Sequence, residues 1–172
     1  LLLQDGLPFL GAPHDVLLSG ALCRPNVPKY KLYLFLNPTY FTPAERTAID
    51  GLKRDGKTLA WFYAPGYYRG GEGSVSNVCE LTGMDITEAY PVDGKPASRR
   101  FAAAESTVER DGARSVFFPL PPSVRDCREA FRAAGAHVWL ETDDVLAAGR
   151  GFVMLHAASA GEKRLRLPGR FD

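Results

Sequence analysis

Two short apolar runs with a capped helix between them constrain this chain more than any other feature. Residues 31–36 (Lys-Leu-Tyr-Leu-Phe-Leu) are apolar without a break after Lys31 and rich in aromatics. The run is too short for a core helix, which predicts a strand buried on both faces. Residues 37–41 turn the chain. Thr42, Pro43 and Glu45 then stand at the N-cap, first and third positions of a capping box. Ala44, Ala48, Ile49 and Leu52 make the apolar stripe, Lys53 and Arg54 sit in the last turn where the helix dipole favours cations, and Gly56 supplies the stop. Residues 58–63 read as a second buried strand. Strand, helix and strand in this order predict a right-handed βαβ unit and hence a parallel sheet covered by helices.

The remaining elements follow the same logic. Residues 16–18 read as a short strand and 19–24 as one helical turn. Residues 64–73 form a loop with four glycines, expected to be mobile, and Ser74 caps a helix with Val75, Val78, Cys79 and Thr82 on its apolar face, ended by Gly83. The stretch 85–115 is the least regular, with edge strands expected at 86–90 and 99–103. Residues 116–118 are a third core strand. Ser123 caps a helix whose stripe is Val124, Cys127, Phe131 and Ala134, stopped by Gly135. A strand is expected at 136–140. Beyond Asp144 the pattern shifts to short runs at 145–148, 151–156 and 163–167, the last alternating strictly, which predicts an antiparallel tail. The expected division is therefore an α/β domain over 1–142 and a β tail over 143–172, the start of a following β segment.

A chain of 172 residues with 45% hydrophobic and 24% charged residues has enough apolar material for a core. The net charge of +1, without a basic block, lacks the electrostatic footprint of a nucleic-acid binder. No apolar run approaches the ~20 residues of a membrane-spanning helix. Cys23, Cys79 and Cys127 are odd in number and far apart, neither a disulfide framework nor a metal pattern, and this favours a reduced, cytoplasmic setting. The chain opens without Met, so it reads as a segment of a longer protein whose export the sequence cannot address.

Ligands of open parallel sheets collect at the carboxyl ends of the strands. Those ends offer Asn37, Thr39 and Tyr40 from one loop and Tyr67, Tyr68, Arg69 and Ser74 from the next, so these residues are expected to border one crevice for a ligand or partner. The glycine-rich loop enters a helix N-terminus but is neither a Walker loop nor a dinucleotide fingerprint. It reads as a flexible connection, with an anion or cofactor site at that helix N-terminus as the alternative. Tyr40, Phe41, Tyr67 and Tyr68 are either a stacking platform for a sugar ring or a partner surface, or core beneath the loops. No Gly-x-Ser-x-Gly elbow is present, Cys79 and Cys127 fall on apolar helix stripes, and His14, His137 and His156 have no carboxylate at a telling spacing. Glu141, Asp143 and Asp144 form an acidic cluster, read as a solvated turn before the tail, with a metal or acid/base role as the alternative. No catalytic residue, metal or cofactor is assigned.

The motifs at residues 30–37 (Tyr-Lys-Leu-Tyr-Leu-Phe-Leu-Asn), 54–61 (Arg-Asp-Gly-Lys-Thr-Leu-Ala-Trp) and 63–66 (Tyr-Ala-Pro-Gly) resemble the accessory domain of large bacterial glycoside hydrolases related to the family-42 β-galactosidases. Residues 80–83 and 161–168 share the likeness, which covers about residues 8–168. It implies a three-layer, flavodoxin-like fold of the class I glutamine-amidotransferase type, called a trimerisation domain in that family. It further implies a catalytic barrel in the same parent chain as partner, a homo-oligomer, and a carbohydrate nearby. The family's catalytic carboxylates belong to the barrel and none maps onto this chain. Amidotransferase relatives place a cysteine in the sharp turn after a central strand, where this sequence has Gly66 and Tyr67. Two further readings stay open: a small hydrolase or amidotransferase-like enzyme using Cys23, Ser74 or His156, and a small-ligand binder on the glycine-rich loop.

Overall fold

The computed structural model describes residues 6–89, 100–149 and 151–169. The described residues group into two compact units, one within Leu17–Pro121 and the other formed by Leu1–Val16 with Pro122–Asp172.

The first unit is built on a mixed, mostly parallel sheet. Strands β1 (Leu32–Phe35) and β2 (Thr58–Phe62) are joined by helix α1 (Pro43–Arg54). After β2 come a short hairpin, β3 (Tyr68–Arg69) and β4 (Glu72–Gly73), and helix α2 (Val75–Thr82). A second hairpin, β5 (Ile86–Ala89) with β6 (Arg100–Ala103), precedes β7 (Thr107–Arg110) and β8 (Ala113–Phe118). The sheet order is β1-β2-β8-β7. β1 and β8 both run parallel to β2, with Leu34, Ala60 and Val116 in register, and β7 is antiparallel to β8.

The βαβ unit read from the sequence is present. Burial on both faces holds for β2, where Leu59, Ala60 and Trp61 are fully buried, but not for β1. β1 lies at the sheet edge, so Leu32, Tyr33 and Leu34 have a neighbour on one side only and stay half-buried. Phe35, Leu59, Trp61 and Phe117 join Ile49 of α1, Val78 and Leu81 of α2, and Ile86 and Phe101 of the β5–β6 hairpin in one core. Side chains alternate along a strand, and Leu34, Ala60, Phe62, Val116 and Phe118 on the other face do not belong to that cluster. Both helices of this unit therefore pack on one face. Two crossovers of one hand that advance the sheet in one direction, β1 to β2 to β8, deliver their helices to the same side.

Capping explains the helix starts. Thr42 N–H donates to Glu45 Oε2 (2.7 Å) and Glu45 N–H to Thr42 Oγ1 (3.3 Å), closing the box. The stripe differs from expectation at the first turn, where Ala44 is exposed and Glu45 is buried. The box draws the Glu45 carboxylate back over the helix start, which Ala44 has no polar group to do. Trp61 Nε1 donates to Ser115 Oγ (3.3 Å), and Ser115 donates on to the Thr82 carbonyl (2.7 Å), so the buried polar groups between sheet and α2 satisfy one another.

Of the expectations for residues 16–115, one is met and two change. The edge strands at 86–90 and 99–103 are found as β5 and β6 paired with each other, Tyr90 and Arg99 lying outside the described residues. β7 appears within the stretch read as irregular. Residues 16–18 make no strand, since no ladder reaches them and Val16, Leu17 and Leu18 are exposed.

The second unit packs helix α3 (Val124–Ala133) with a 3-10 turn at Leu7–Phe9 and the hairpin β9 (Val145–Gly149) and β10 (Phe152–His156). Ser123 and Asp126 form the capping box of α3, and Cys127, Ala130 and Phe131 are buried. Residues 136–140 are not a strand. The Trp139 and Leu140 amides both converge on the single carbonyl of Gly11 (2.8 and 3.0 Å) instead of alternating along a ladder. Gly11 (φ +69°) is obligatory there, because a Cβ would lie 1.8 Å from the Leu140 oxygen. Residues 163–167 form no strand either. The Arg166 amide bonds Trp139, while Lys163 turns its ammonium to Asp144.

Arg128 ties this unit together. Its guanidinium donates to the carbonyls of Leu10 (3.2 Å), Glu141 (3.0 Å), Phe9 (2.5 Å) and Thr142 (2.8 Å) and to Asp143 Oδ1 (2.9 Å). All five guanidinium N–H groups can thus be engaged, although the side chain is almost wholly buried. Among the described residues no helix is long and apolar enough to cross a membrane.

Candidate functional site

The carboxyl ends of β1 and β2 carry the residues singled out in the sequence. After β1, Asn37 adopts a left-handed backbone (φ +55°), a conformation Asn tolerates better than most, and its Oδ1 accepts the Ala64 amide (3.2 Å). Pro38 and Thr39 then present carbonyls to the amides of Gly66 (2.8 Å) and Tyr68 (2.9 Å), and Tyr40 forms a parallel bridge with Tyr68. The two loops lie side by side as a ledge. Tyr40 and Tyr68 are 54% and 45% exposed on it, large aromatic surfaces on adjoining chain segments.

The other residues of the set play different parts. Tyr67 is buried, edge-on to Phe101 (5.7 Å) and to Tyr68 (5.2 Å), with its hydroxyl donating to the Glu88 carboxylate (3.2 Å). Arg69 is exposed and ion-paired with Glu80 (2.6 Å). Ser74 Oγ caps α2 by accepting from Ser76 N–H (3.1 Å). Thr39 joins the ledge through its backbone. Where an open, mobile loop was expected, the glycines build structure. Gly70 and Gly71 have φ of +60° and +88° between β3 and β4, the left-handed pair of a type I′ hairpin turn. A Cβ on Gly73 would lie 2.5 Å from the Tyr67 ring. Asn77 Nδ2 fastens the loop by donating to the Tyr67 carbonyl (2.9 Å).

Arg46, Asn77 and Glu88 were not singled out in the sequence. Arg46 Nη2 donates to the Gly66 carbonyl (2.9 Å), and its Nε is buried with no hydrogen-bond partner. Burial, and then the nearby Arg69 charge, lower its pKa from the usual arginine value. Its place one residue after the capping-box glutamate was a signal of sorts, since the first turn of a crossover helix begins at the strand-end loop.

At the end of central strand β2, the left-handed position belongs to Tyr63 (φ +64°), whose ring stands edge-on to Phe101 (4.9 Å). Hydrolases on parallel sheets set a nucleophile at such a strained turn, with its oxygen or sulfur free to attack. Gly66 follows, where a Cβ would meet the Leu81 side chain at 2.5 Å. The remaining reactive groups are dispersed. Cys127 is buried, and burial, then the Asp126 charge, push its thiol up to about 12. Cys79 Sγ donates to the Ile86 carbonyl (3.3 Å), and Cys23 is exposed. His14 contacts the Ala12 carbonyl (3.0 Å) and His137 that of Arg166 (2.5 Å).

The acidic cluster is not a solvated turn throughout. Glu141 pairs with Arg132 and Asp143 with Arg128, while Asp144 is buried at 1% exposure and bonded to Lys163 (2.9 Å). Among the described residues no group of three or more His, Cys, Asp or Glu side chains is placed to hold a metal ion. Compared with known protein families, curated proteins and solved structures, the chain matches none of them.

Proposed function

We propose that this chain is a non-catalytic accessory domain, serving assembly or substrate-site shaping, of a carbohydrate-active, β-galactosidase-like glycoside hydrolase, and that its α/β architecture is the three-layer, flavodoxin-like one of class I glutamine amidotransferases. The observation that carries the reading is the occupant of the central strand's end. Tyr63, Gly66 and buried Tyr67 fill the turn where acyl-transfer chemistry on such a sheet needs an exposed nucleophile. The partners this reading implies are the catalytic barrel of the parent chain and further copies.

A second reading has its own support. Tyr40 and Tyr68 present adjoining exposed rings, a surface suited to stacking on a sugar, so the ledge is also a candidate carbohydrate contact. One set of measurements tests both. The isolated chain is assayed on aryl esters, glutamine and aryl galactosides, and no turnover is expected. Turnover that disappears in Cys23→Ala, Ser74→Ala or His156→Ala overturns the non-catalytic reading. Tyrosine chemical shifts followed during a galactoside titration decide the second, which fails if Tyr40 and Tyr68 do not move.

A further inference from the structure

The β9–β10 hairpin is a two-stranded sheet in which β10 carries an unfinished edge. Its register runs from Phe152 opposite Gly149 to His156 opposite Val145. In an antiparallel pair alternate residues exchange hydrogen bonds, so every second N–H and C=O of β10 faces away from β9. Among the described residues nothing pairs that edge. Soluble proteins blunt such edges with Lys, Pro, inward charges or bulges, and Phe-Val-Met-Leu-His has none of these. One face of the hairpin is also bare. Phe152 is 80% exposed and Met154 56%, flanked on β9 only by Gly149, Ala147 and Val145.

We propose that β10 pairs antiparallel with β10 of a second copy, across a two-fold axis at Met154, to make a continuous four-stranded sheet. Self-pairing needs an edge that opposes itself without repulsion, and residues 152–156 carry no formal charge when His156 is neutral. About Met154 the register sets Phe152 opposite the partner copy's His156 and Val153 opposite its Leu155, with apolar contacts at every pair but the outermost. The pairing gives the assembly part of the reading above a surface, and rests on that reading only in requiring that copies meet. One short strand per copy buries less than the ~1,200 Å² of a standard stable interface, so the dimer is weak and dependent on concentration.

The test is sedimentation of the full chain across a concentration series, with hydrogen exchange read at residues 153–155. Expected is a monomer–dimer equilibrium in which those of these amides that face away from β9 gain protection as concentration rises. Met154→Lys puts two like charges face to face on the axis and should weaken association roughly 10-fold or more. An equimolar mixture with Met154→Glu should restore it. An unchanged urea midpoint for each variant shows that the fold is kept. An oligomer in which β10 gains no protection, or one indifferent to Met154→Lys, overturns the pairing but leaves assembly standing. A strict monomer overturns the pairing and counts against assembly too. A monomer that binds an alternating apolar peptide along β10 assigns the edge to a foreign strand and overturns the two-fold pairing.

Discussion

Asp144 stays ionised although its side chain is almost wholly removed from water. The Thr142 hydroxyl, the Lys163 ammonium and the Ala158 amide all donate to it, and against the opposing effect of burial they hold its pKa at about 2. A carboxyl depressed by folding stabilises the native state above its unfolded pKa and loses that contribution as pH falls through the folded value. Stability should therefore drop between about pH 4 and about pH 2. Urea midpoints measured across this window should fall, and Asp144→Asn should flatten that slope while lowering the midpoint at neutral pH. A slope unchanged by the substitution removes Asp144 as its source. The sequence showed an acidic cluster here but not its partners. Lys163 and Arg128 come from distant positions, and no local pattern reports which of three neighbouring acids will be enclosed.

Elements were legible where the signal is local. The capping box at Thr42, the cap at Ser123 and the left-handed stop at Gly83 need only near neighbours in sequence, and all three are formed. β7 was missed because Thr107–Arg110 has Val108 as its lone apolar residue and sits at a sheet edge, where burial imposes no alternation. Residues 136–140 were misread because an extended segment that packs on a loop shows the same apolar pattern as a strand. The difference lies in where its amides go. The ledge was legible in part, since strand ends named Asn37 and Tyr40, whereas Arg46 and Asn77 reach it from helices. Its hairpin separates two uses of glycine that composition merges. Gly70→Asn should change stability by less than about 0.5 kcal/mol, because nothing lies within 4 Å and Asn accepts φ near +60°. Gly73→Ala should cost about 1–3 kcal/mol by driving a methyl into the Tyr67 ring. Denaturant midpoints of equal cost would show that backbone freedom alone explains the loop.

At the scale of the whole molecule, one side chain joins parts of the chain far apart in sequence. Arg128 bonds Leu10 across 118 positions and, on its other side, the carbonyls of Glu141 and Thr142. Arg128→Lys retains the charge but offers three donors in place of five, leaving at least two acceptors unmet in a buried site. A loss of about 2–4 kcal/mol is expected, with faster hydrogen exchange at residues 7–12 than in the sheet of the first unit. Equal acceleration throughout would mean that Arg128 supports the fold generally and does not specifically hold the N-terminal segment. The clamp also sets an order of events during synthesis. A ribosome delivers residues 6–12 more than a hundred residues ahead of the guanidinium that receives them and of the turn at 141–143 that completes the grip. A segment made well before the rest of this unit is thus among the last to find its place. Until then Leu7 and Leu10 remain uncovered on the nascent chain, open to whatever apolar surface a chaperone offers.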